Sequence, residues 1–88
     1  MRVLVSGRVQ GVWFRASARD RALALVVDGW ARNLADGRVE LVAEGTPAAI
    51  DSFLEWCGRG PEGARVTSVE VEDENPAPEP AGFRITRD

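Results

Sequence analysis

Apolar residues along this chain shift their spacing from every second position to every third or fourth and back again, in an order that few folds accept. Arg2 to Ser6 is a short run rich in β-branched residues and reads as a strand. Phe14, Ala18, Ala22 and Leu25 recur at helical spacing, which predicts an amphipathic helix over about 14–25 with Arg15, Arg19 and Asp20 off its stripe. Val26-Val27 leads into a second strand through Gly29, Trp30 and Asn33, and Asp36-Gly37 is a strong turn signal after it. In the third strand Val39, Leu41 and Ala43 share one face and Glu40 and Glu44 the other, with Val42 the exception. Thr46-Pro47 starts a second helix with a capping hydroxyl and a first-turn proline; Ile50, Phe53, Leu54 and Cys57 form its stripe, and Gly58 and Gly60 stop it. A fourth strand over about 65–72 is expected to turn Thr67, Val69 and Val71 inward and Ser68, Glu70 and Glu72 to water. Val66 is out of phase there and marks a bulge or the strand start. Asn75 to Pro80 reads as a stiff loop, and Phe83 and Ile85 as a short last strand at an edge.

The resulting order is β-α-β-β-α-β plus a terminal strand. That is the split-βαβ, ferredoxin-like arrangement of the α+β class: an antiparallel sheet with both helices on one face, forming an α/β sandwich. With 88 residues and no linker or repeat, the chain is expected to be one domain over 1–88. A domain of this size buries somewhat over ~60% of its unfolded surface, enough for a core without a metal or disulfide.

Composition removes whole classes of chemistry. There is no histidine, so Ser-His-Asp, Cys-His and His-metal sites are excluded; the single cysteine, Cys57, excludes an internal disulfide and a cysteine-rich zinc site. No apolar run approaches the ~20 residues of a membrane-spanning helix, so no membrane partner is expected. Met1 leads almost directly into a strand with no secretory signal, so a cytoplasmic location is expected. The net charge of −3 argues against a general nucleic-acid binder. Residues 1–38 nevertheless carry seven arginines against Asp20, Asp28 and Asp36, while residues 39–88 carry four against eleven acids. A positive field in the first half would draw in a small anion. An uneven but solvated surface reads equally well, because halves of a sequence need not be halves of a surface.

Between the first strand and the first helix lies Gly7-Arg8-Val9-Gln10-Gly11-Val12-Trp13-Phe14-Arg15. Glycines let backbone N–H groups approach a ligand, a helix N-terminus adds unpaired donors, and an arginine in the first turn adds a fork that matches phosphate. On its own such a segment reads more simply as a tight turn with Arg15 solvated, and Asn33 alone as a turn former. Cys57 sits on an apolar helical stripe and reads as core. Trp30 and Trp56 read as packing residues. Trp13 would either flank a substrate or cover the loop. Arg8 and Arg32 would extend a positive field, or more simply be solvated, and Glu70, Glu72, Asp73 and Glu74 read as a solvated edge.

Gly7 to Arg15 resembles the first signature of the acylphosphatase family, and Gly29-Trp-Ala-Arg-Asn33-Leu-Ala-Asp36-Gly37-Arg-Val39-Glu-Leu-Val-Ala-Glu-Gly45 resembles its second. The resemblance implies a ferredoxin-like sandwich that hydrolyses acyl phosphates to carboxylate and phosphate. It implies that Arg15 binds the phosphate together with backbone N–H groups of Arg8, Val9, Gln10, Gly11, Val12, Trp13 and Phe14, and that Asn33 positions the attacking water. It implies no metal and no cofactor, an acyl phosphate as small-molecule partner, inorganic phosphate or a similar anion as product or inhibitor, and a monomer. Two positions depart from the family pattern. Val26 stands where many members have glycine after the first helix, which predicts a changed helix exit, and Ala31 replaces a more usual valine. Rival readings are a non-catalytic anion-binding module and an RNA-binding module of the same topology. The second is disfavoured because the first and third strands carry no aromatic residue.

Overall fold

The structure, a computed structural model, describes residues 1–73 and 82–86; the expected loop over Asn75 to Pro80 lies outside them. Seven elements follow in the order β1 (Arg2–Arg8), α1 (Phe14–Leu25), β2 (Asp28–Asn33), β3 (Val39–Glu44), α2 (Pro47–Arg59), β4 (Arg65–Glu72) and β5 (Phe83–Ile85). They form one sheet with strand order β4-β1-β3-β2-β5. The β4-β1, β1-β3 and β3-β2 pairs are antiparallel, as expected for a ferredoxin-like domain. β5 instead runs parallel to β2, so the completed sheet is mixed.

Cross-strand register explains where the core sits. Val3 faces Leu41, Val5 faces Val39 and Ala31 faces Leu41, so these side chains share one face of the sheet. They join Phe14, Ala18 and Ala22 of α1 and Ile50, Phe53, Trp56 and Cys57 of α2 in a single buried cluster. Both helical stripes fall as the spacing predicts, except that Leu25 and Leu54 are only half-buried and Trp56 is buried as well. Burial pushes the Cys57 thiol up to about 12, which makes it a core residue and not a nucleophile. Phe83 of β5 packs its ring 5.7 Å from that of Phe53 and pairs with Gly29, where a side chain would collide with the Val42 carbonyl of β3.

The other face of the sheet carries no helix among the described residues, yet it is not simply wet. Glu40 is only 3% exposed and accepts from both Arg2 and Arg32, and Arg2 also reaches Glu72 at 3.0 Å. The Arg32 guanidinium lies 5.5 Å from the centre of the Trp30 ring. By register these long side chains flank Leu4 and Val42 and keep both buried.

β4 differs from its expected alternation. Thr67 and Val71 are exposed, and Val66 and Val69 supply its half-buried contacts to the core. The cause is a bulge: Ser6 pairs with Ser68 but Gly7 with Val66, leaving Thr67 as the extra residue. The out-of-phase valine was therefore the signal of this bulge. Val71 still shares a face with Val3, but β4 is an edge strand and leaves it 46% exposed.

Candidate active site

The bulge starts the site. Gly7 has φ 124°, and a side chain there would collide with the Arg65 carbonyl oxygen, so only glycine lets β1 turn at this point. β1 runs two residues beyond its expected end, and Arg8 stands in the ladder opposite Arg65. The chain then leaves the sheet through a short loop. Val9 is buried and Val12 half-buried against the core, which pins the loop from below. Gly11 has φ 76° with open space around it, so its backbone conformation, and not crowding, calls for glycine. Trp13 enters α1 at φ 62°, ψ 24°, a left-handed conformation rare for a bulky residue. Phe14 anchors the first turn, 1% exposed, with its ring 5.2 Å from that of Trp56.

The two helices begin differently. At α2 the Thr46 hydroxyl accepts from the Ala49 N–H at 3.2 Å and Pro47 fills the first turn. At α1 the capping position holds Trp13, which makes no side-chain cap, and the first turn contains no acidic residue. The N–H groups at the start of α1 therefore keep their donor capacity, with the positive end of the helix dipole behind them.

Those groups open onto a pocket of about 400 Å³ lined by Val9, Gly11, Trp13, Phe14, Arg15 and Ala16, with Asn33 and Ile85 opposite. Arg15 reaches the Thr86 carbonyl at 3.4 Å and, among the described residues, has no carboxylate partner. Asn33 ends β2 opposite Val39 and so points to the helix-covered face; its Oδ1 is buried and accepts no hydrogen bond. Buried acceptors are nearly always paired, which makes this one a mark of something the site receives. A fixed cation, open helical N–H groups and a free buried acceptor suit an anion accompanied by water.

Of the residues expected to meet, Val9, Gly11, Trp13, Phe14, Arg15 and Asn33 come together around the pocket. Gln10 turns its side chain away: Nε2 donates to the Leu34 carbonyl at 2.8 Å and to the Arg38 carbonyl at 2.9 Å. Both donors of one amide thus tie the loop to the β2–β3 turn that follows Asn33. The expected positive field is partly offset, because two carboxylates of the acidic half pair with its arginines: Glu40 with Arg2 and Arg32, and Glu72 with Arg2. The backbone and side-chain hydrogen bonds from Arg38 hold the Asp36 carboxyl below its ordinary range. The Gln10 clamp and the Ile85 wall are not evident from sequence; the parallel docking of β5 on β2 is what brings Ile85 in.

The element order, strand order and helix placement are those of a ferredoxin-like α+β domain. The acylphosphatase family model matches residues 1–85. The acylphosphatase of Methylococcus capsulatus is 55% identical over 86 residues, which cover 98% of this chain and 94% of that protein. The crystal structure of acylphosphatase from Bacillus subtilis superposes with a TM-score of 0.91 at 38% identity, covering 97% of this chain and 94% of that one. An acylphosphatase from Coxiella burnetii gives 0.89 at 44% identity, over 97% and 88% of the two chains. The chain belongs to the acylphosphatase family and is a hydrolase.

Proposed function

We propose that Arg15 and the backbone N–H groups of residues 8–14 hold the phosphate of an acyl phosphate, and that Asn33 holds the water that attacks it. The reaction is the family's: hydrolysis of the carboxyl–phosphate anhydride to a carboxylate and inorganic phosphate. The observation that carries the reading is the buried, unpaired Oδ1 of Asn33 in a pocket shared with Arg15. A water donating one O–H to Oδ1 keeps a lone pair free to face phosphorus. Neutral Asn33 does this without repelling the substrate, as an aspartate would.

The chemistry asks little more of the protein. Water oxygen bonds to phosphorus as the bond to the acyl oxygen breaks, and that electron pair leaves as a carboxylate. Carboxylates of this kind have a pKa of about 4, so no general acid is needed. The transition state is loose, with charge on the equatorial oxygens, where the Arg15 fork and the N–H groups stabilise it. The water proton passes to a phosphate oxygen, so the lack of histidine is no obstacle. The reaction runs without metal or cofactor in this reading. The enzyme works as a cytoplasmic monomer, without nucleic acid, and inorganic phosphate competes as product; among the described residues no helix is long and apolar enough to cross a membrane.

Hydrolysis of benzoyl phosphate by the purified protein, with and without chelator, tests the reading. Arg15→Ala is expected to lose about 10²–10³-fold or more in kcat/KM. Asn33→Ala is expected to lower kcat by about 10²-fold while moving KM little, because it acts on the water and not on the bound phosphate. Undiminished turnover in either variant removes that residue from its role, and inhibition by chelator removes the metal-free mechanism.

A further inference from the structure

Phosphate capture leaves one part of the pocket unused. A phosphate takes the space of a few waters, each about 30 Å³, and the pocket offers about 400 Å³. The apolar residues that line the pocket are Val9, Trp13, Phe14, Ala16 and Ile85. Trp13 is 80% exposed, against a half-buried Trp30 and a buried Trp56. Its indole gains little from packing, it caps nothing, and its backbone is left-handed where glycine would sit without strain. A strained, exposed aromatic beside a reaction site is a reason to look for the group it meets.

We infer that Trp13 selects the acyl group, its indole serving as an apolar platform for the carbonyl substituent of the substrate. This rests on the reading that Arg15 and the loop seat the phosphate. With phosphate held at the start of α1, the acyl group projects past the residue immediately before that turn, which is Trp13. An indole face favours flat or extended apolar acyl groups over acetyl. It carries no charge to retain the departing carboxylate, so it discriminates between substrates without trapping product.

The test compares benzoyl phosphate with acetyl phosphate in wild type, Trp13→Gly and Trp13→Phe. Glycine keeps the left-handed backbone and removes only the side chain; phenylalanine keeps an aromatic face. The ratio of kcat/KM for benzoyl phosphate to that for acetyl phosphate is expected to fall roughly three- to tenfold in Trp13→Gly, the size of one aromatic contact, and to be largely retained in Trp13→Phe. An unchanged ratio in Trp13→Gly, or an equal fall in both variants, overturns the assignment. Failure of the phosphate seat shows separately, as loss of competition by inorganic phosphate or as full activity in Arg15→Ala, and leaves the substrate ratio readable.

Discussion

Val26 and Trp13 share nearly the same backbone torsions at opposite ends of α1, and they call for different explanations. Val26 has φ 59°, ψ 47° and is 78% exposed, so its side chain gains almost nothing. The sequence suggests that a valine here would alter the helix exit. The chain keeps the left-handed exit because the Val26 N–H bonds the Leu23 carbonyl at 3.3 Å and the Val27 N–H bonds the Ala22 carbonyl at 2.8 Å, with Val27 buried below. The valine bears the strain. Val26→Gly is expected to raise stability by about 1 kcal/mol, some 4–8 °C in melting temperature, with turnover unchanged; a lower melting temperature would contradict this account. Gln10 offers the reverse case, an unstrained residue with two partners. Gln10→Ala frees the loop from the hairpin that ends at Asn33, and Gln10→Glu sets a carboxylate against two carbonyl oxygens. Both are expected to cut kcat about tenfold or more, with Gln10→Glu the worse, because sub-ångström misplacement of water against phosphate is costly. No residue pattern announces this clamp: its acceptors are main-chain carbonyls 24 and 28 positions away.

The contrast between the two helix starts makes a prediction about anions. α1 begins with open donors beside Arg15, so inorganic phosphate is expected to stabilise the folded state by about 2.7 kcal/mol at a hundred times its dissociation constant, read as a raised melting temperature. Chloride at equal ionic strength is expected to do far less, and Arg15→Ala to lose most of the shift. α2 begins with a completed cap, so Thr46→Ala costs about 1 kcal/mol without touching turnover. Both helices and β3 are legible from spacing because one side of each is buried against a common core, and burial is what writes periodicity into a sequence; β1 is legible from its β-branched content and β2 from the turn that follows it. β4 is less legible for the same reason. As an edge strand it buries little, and a single extra residue, Thr67, breaks the alternation so that Val66 faces inward in its place. Within the site, Arg15 and the loop glycines are suggested by residue type. That Asn33 holds an unpaired acceptor depends on its register with Val39, which no local pattern states.

Charge behaves differently in three dimensions than along the chain. Part of the arginine excess of residues 1–38 is spent on two carboxylates of the acidic half, Glu40 and Glu72, of which Glu40 is the buried one. Burial alone would raise the Glu40 carboxyl, but hydrogen bonds from Arg2 and then Arg32 outweigh it and hold the group below its ordinary range. A depressed folded-state value means the stabilisation is fully present above the unfolded pKa of about 4.3 and is lost as pH falls through the lower folded value. Denaturant midpoints are therefore expected to drop below about pH 4 in wild type, and Glu40→Gln to be less stable at neutral pH by about 1–3 kcal/mol with a flatter acid limb. An acid limb of equal steepness in Glu40→Gln would locate the sensitivity elsewhere. The parallel strand β5 bears on a different question, how a distant segment of the chain completes the pocket. Ile85 walls the pocket, and the Thr86 carbonyl is what Arg15 reaches across to meet. Without β5 docked on β2 the pocket lacks one of its sides and the Arg15 guanidinium lacks its resting partner, although neither group belongs to the loop that enters α1.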